Sequence, residues 1–215
     1  MLRDTKSGMN RMIASRIPFR RNYQLQAMVS LYIVFWIATA ISPTDRLQWA
    51  LENLLPIGTI ILLVVTFNKF PFTNLSYLFI FFFLILHTYA AHYTYQSTPF
   101  DIWLKNTFHT KRSYFDRVVH FSFGLLWTYP TWELLNRVAK LGRFFSFALP
   151  VSIVFSLSSL FEIVEMLVAI VAGKAGADYM GLQGDIFDSQ KDMALGLMGA
   201  VVSMGTLGIL IRRKK

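Results

Sequence analysis

"NLSYLFIFFFLILHTYAAHYTY", residues 74–95, decides the fold class. A helix needs about 20 largely apolar residues to cross a hydrocarbon core, and this stretch supplies them without one Asp, Glu, Lys or Arg. "FFSFALPVSIVFSLSSLFEIVEMLVAIV", residues 144–171, is a second clear span. Around them the same reading gives spans at about 25–41, 47–67, 115–138 and 192–211. The expected architecture is all-α: a polytopic membrane helical bundle of about six transmembrane helices. Its divisions are a basic arm (1–24), a single transmembrane helical domain (25–211) and a basic tail (212–215).

Composition agrees. The 215 residues are 54% hydrophobic and 15% charged, against about 25% charged in soluble domains. Zero cysteines exclude disulfides and thiolate metal sites. The net charge of +9 does not point to nucleic acid, because the basic residues sit at the ends of apolar segments, as topology signals do. Of the 21 Lys and Arg, 14 fall in the arm, the 68–73 and 137–143 turns and the tail. Both termini are therefore expected in the cytoplasm, with 96–114 and 172–191 outside. The first apolar run lies behind a long basic arm without a small-residue cleavage site, so it is expected to stay as an anchor. Pro56 and Pro150 are expected to bend the second and fifth spans.

Depth along each span then gathers the ionisable residues in one leaflet, at a rise of about 1.5 Å per residue. Asp116 and His120 share a face at i,i+4 near the start of the fourth span, and Glu162 and Glu165 at i,i+3 near the end of the fifth. Asp192 opens the sixth, and Asp185 and Asp188 join its face if the helix begins early. Glu133 is left near the inner face, placed to pair with Arg137 at i,i+4. Intramembrane acids are costly and mark function. Asp116 orienting His120 forms a candidate catalytic pair. Glu162, Glu165, Asp188 and Asp192 form a candidate metal site for a divalent cation, Mg, Mn or Zn. Plainer readings stand beside these. One aspartate suffices as a helix cap, Glu52 and His92 read as solvated, and His87 reads as either packing or site. Gly196, Gly199, Gly205 and Gly208 read as close helix packing.

In "YFDRVVHFSFGLL", "FEIVEM" and "GLQGDIFDSQKDM" the chain resembles the YjdF-type family of uncharacterised bacterial inner-membrane proteins, over essentially its whole length. That resemblance implies a multi-pass inner-membrane protein without an assigned activity. The Asp-x-x-x-His pair, the Glu-bearing helix and the aspartates leading into a Gly-rich last helix also resemble VanZ-like membrane proteins. Those proteins are associated with glycopeptide resistance and the cell envelope, although this chain has "GLQGD" where they carry a Pro-Gly-Arg-type block. Two functions fit the residues. One is a metal-assisted hydrolase or transferase acting on a lipid or lipid-linked envelope precursor. The other is a proton- or cation-coupled transporter, or an ion-binding membrane protein without catalysis.

Overall fold

The computed structural model describes residues 17–110, 112–139, 141–172 and 187–213. After a 3-10 turn at Phe19–Arg21 come α1 (Tyr23–Ala40), α2 (Arg46–Glu52), α3 (Leu54–Phe67) and α4 (Asn74–His92). Then follow α5 (Pro99–Phe108), α6 (Phe115–Val138), α7 (Arg143–Ala172) and α8 (Asp188–Arg213). Among the described residues five elements are long and apolar enough to cross a membrane: α1, α2–α3 together, α4, α7 and α8. The fourth expected span, α6, has the length but carries Asp116, Arg117, Glu133 and Arg137. It sits at the centre, packed most extensively on α8 and also on α4 and α7. Its neighbours, not lipid, receive those charges.

Glycine sets that central contact. A Cβ on Gly124 of α6 would collide with the backbone of Gly196 and Ala200, and one on Gly199 of α8 with the backbone of Phe121 and Leu125. The two helices meet backbone to backbone, as small residues permit. Gly205 does not take part, since nothing lies within 4 Å of an added Cβ there, and Gly208 makes only ordinary contact at 3.7 Å.

Polar contacts show that successive spans reverse direction. Asn22, which caps α1 by accepting from Leu25 N at 3.1 Å, also donates from Nδ2 to Asn74 Oδ1 at the start of α4, at 2.6 Å. The end of α6 meets the same place, where Glu133 accepts from Thr73 N at 2.9 Å, from Thr73 Oγ1 at 2.8 Å and from Ser76 Oγ at 2.5 Å. Arg137 pairs with Glu133 at 2.8 Å, the expected i,i+4 contact, and donates to Pro71 O at 2.6 Å. This end of the bundle also carries Arg20, Arg21 and Lys69 and is called the basic end below.

Three boundaries depart from expectation. The second span is not one helix but breaks at Asn53, whose amide donates to Trp49 O and whose carbonyl oxygen accepts from Trp36 Nε1, both at 2.6 Å. The last helix starts at Asp188, a turn ahead of Asp192. The 96–114 connection contains α5, which begins with Thr98 accepting from Asp101 N at 3.1 Å. Asp185 and most of the 172–191 connection lie outside the described residues, as do residues 1–16 of the arm.

Candidate functional site

At the end opposite Glu133, the start of α6, the last part of α7 and the start of α8 come together. His120 Nε2 lies 3.1 Å from Glu162 Oε1 and 3.6 Å from Asp116 Oδ1. His120 and Glu162 are buried, and the Asp116 side chain is about one-third exposed. The imidazole also packs against the Phe161 ring at 6.3 Å. The expected Asp116–His120 pair is therefore present, but Glu162 is the nearer carboxylate. Glu165, half-buried one turn on, lies within electrostatic reach of Asp116, Glu162, Glu52 and Asp192.

The two aspartates of α8 face arginine. Asp188 forms an ion pair with Arg112, and Arg117 approaches Asp188 at 3.7 Å and Asp192 at 4.0 Å. Both aspartates are buried, 4% and 2% exposed. Buried carboxylates need a partner charge, and two guanidinium groups supply it. Among the described residues, no group of three or more His, Asp or Glu is arranged to hold a metal ion. The arginines are the part that sequence reasoning missed. Their signal was available: Arg112 and Arg117 flank Asp116 at the entrance of α6, opposite in sign to the α8 aspartates.

Asp101 holds the segment that follows Arg112. Fully buried, it accepts from Tyr114 N at 2.6 Å and from Thr98 Oγ1 at 2.8 Å. Ser113 Oγ adds a bond to Gln96 O at 2.9 Å. The segment before α6 is thereby fastened to α5, fixing the approach of Arg112 to Asp188.

Beside His120 opens a cavity of about 240 Å³, walled by Leu55, Phe123, Trp127, Leu157 and Phe161. Its polar lining comprises Asp116, His120, Ser158, His87, Tyr95 and Thr59. Ser158 Oγ is buried and makes no hydrogen bond among the described residues. His87 thus belongs to this cavity and is not merely packing. Its Nε2 bonds to Glu52 O at 3.0 Å and its Nδ1 to Tyr95 Oη at 2.5 Å. Glu52, read from sequence as solvated, is 6% exposed, because the break at Asn53 turns the chain inward over His87. His92 stays apart: its Nδ1 donates to Thr39 O at 2.8 Å, tying α4 to the end of α1.

Comparison with known proteins fits this architecture. No solved structure matches the chain. It is 31% identical over 169 residues to the inner membrane protein YjdF of Escherichia coli (strain K12), covering 78% of this chain and 81% of the relative. Residues 24–213 match the family model described as "Predicted membrane protein (DUF2238)", a match running from the first span to the last. The chain belongs to this family of multi-pass membrane proteins.

Proposed function

We propose that the chain is an inner-membrane enzyme, a hydrolase or transferase acting on a lipid or lipid-linked envelope precursor at the outer leaflet. One observation carries the reading: a buried imidazole, 3.1 Å from a carboxylate, opens onto an apolar cavity of about 240 Å³. Such a cavity suits a hydrocarbon chain, and a histidine at its wall suits general acid–base chemistry. His120 would take the proton of an attacking water or hydroxyl as its oxygen bonds to the reacting centre, and return that proton to the leaving oxygen. Glu162 and Asp116 would stabilise the imidazolium formed between the two transfers. Glu165, near the same carboxylates, would tune that charge.

In this reading Arg112 and Arg117 offset Asp188 and Asp192, the task expected of a divalent cation. Metal analysis of the purified protein tests the point. Stoichiometric Mg, Mn or Zn retained by the wild type and lost from Asp188→Asn would overturn the arginine role. The transport reading is less well supported, because Glu133, among the described residues the acid nearest the basic end, has its carboxylate committed to Thr73, Ser76 and Arg137.

The placement rests on both termini facing the cytoplasm, as the distribution of Lys and Arg favours. Reporter fusions at the C-terminus and within 176–182 check it, and an external C-terminus would move the site to the other leaflet. The chemistry is tested by comparing lipid and precursor pools in cells producing the wild type or His120→Gln. A pool changed by the wild type and restored by the variant is expected, with a loss of about 100-fold or more in turnover. Identical pools in both would end the proposal.

A further inference from the structure

A second cavity, of about 440 Å³, lies away from the His120 site, between α1, α3 and α4. Its walls are almost wholly apolar, including Met28, Val29, Ile33, Ile60 and Val64, over a floor of Tyr32, Ile80 and Leu84. It exists because α3 is loosely held. That helix packs notably only on α2, and most of its side chains are exposed.

Its length decides what it fits. On α1 the lining runs from Leu25 to Ile33, and on α3 and its cap from Ile60 to Asn68, eight helical rises in each case. At about 1.5 Å per residue that is a depth of about 12 Å. One leaflet of a hydrocarbon core of about 30 Å is about 15 Å deep. A second copy of the chain, or any partner helix that crosses about 30 Å of core, would be seated over less than half its length. The groove serves one leaflet.

Its open end has a charge. Phe19 and Asn68 line it, and the adjoining Arg20, Arg21 and Lys69 are all exposed. Among the described residues none of the three is in an ion pair. We infer that the groove between α1 and α3 is a binding site for an anionic phospholipid of the leaflet at the basic end. One acyl chain lies against Tyr32, Ile80 and Leu84, and the phosphate is met by Arg20 and Arg21. The site is independent of the His120 chemistry and of which face is cytoplasmic.

Native mass spectrometry of the full chain in detergent, titrated with phosphatidylglycerol or phosphatidylcholine of identical chains, tests this. A Lys or Arg near an anionic headgroup is worth about fivefold in affinity, so two predict a preference for phosphatidylglycerol of about 30-fold. Arg20→Gln with Arg21→Gln should cut the preference to about fivefold or less, what Lys69 alone supplies, and leave weak binding of both lipids. Val29→Trp or Ile60→Trp should fill the groove and remove binding of both. Each variant is first checked for helical content and monodisperse elution. If neither Trp variant folds, the arginine pair still decides the matter. Equal binding of the two lipids by the wild type, or an undiminished preference in the double Gln variant, would overturn the inference. So would a disulfide-linked dimer formed when Val29→Cys and Ile60→Cys are introduced together.

Discussion

His87 Nε2 lies 3.0 Å from the carbonyl oxygen of Glu52, the acceptor that Pro56, four residues later, has no N–H to fill. A carbonyl only accepts, so the proton sits on Nε2, and Nδ1 accepts from the Tyr95 hydroxyl at 2.5 Å. A proline that would leave a buried carbonyl without a donor is thus answered by a side chain from another span. The same bond turns His87 and Tyr95 toward the cavity that His120 lines.

The two residues are therefore energetically coupled. His87→Leu should destabilise the protein by about 1–3 kcal/mol, the cost of an unsatisfied buried carbonyl. Pro56→Ala restores a backbone donor, so adding it to His87→Leu should recover about 1 kcal/mol. Unfolding titrations of the four proteins of this cycle measure the coupling. Strict additivity would show that the bond contributes nothing.

Glu133 is fully buried, joins α6 to the start of α4 through Thr73 and Ser76, and pairs with Arg137 one turn on. Breaking one side of a buried ion pair costs about 3–5 kcal/mol. Glu133→Gln should lower stability by that order, because an amide keeps one acceptor but loses the charge facing Arg137. Thermal unfolding in detergent reads this directly. Glu133→Gln with Arg137→Gln should be less unstable than the sum of the two singles.

Asp188 and Asp192 separate capping from charge. Asn caps a helix as well as Asp, so a capping role makes both Asn variants silent. The ion pairs with Arg112 and Arg117 predict otherwise. Asp188→Asn leaves Arg112 facing an amide and should lower stability by about 2 kcal/mol or more. Arg112→Gln combined with Asp188→Asn should recover part of that loss, as measured by the same unfolding assay.

Glycine replacements read the α6–α8 contact. Gly199→Ala and Gly124→Ala push a methyl group into backbone that cannot rotate away, and each should cost at least about 1–3 kcal/mol. Gly205→Ala meets open space and should be neutral or slightly stabilising, since alanine favours the helix by about 1 kcal/mol. Equal losses at all three positions would contradict the packing described.

The sequence by itself determined the fold class and the span positions within a few residues, because membrane crossing is a one-dimensional demand for about 20 apolar residues. It also foresaw the Asp116–His120 and Glu133–Arg137 pairs, since i,i+4 spacing puts side chains on one helix face whatever surrounds them. Only the tertiary structure decided which partners those residues meet. Glu162 faces His120, Arg112 and Arg117 face the α8 aspartates, and Glu52 and His87 turn inward together. These contacts join different helices, and their rotation about their own axes is set by close packing. Gly124 against Gly196 and Ala200 fixes how α6 turns toward α8, and one residue's difference in that register would aim each charge elsewhere.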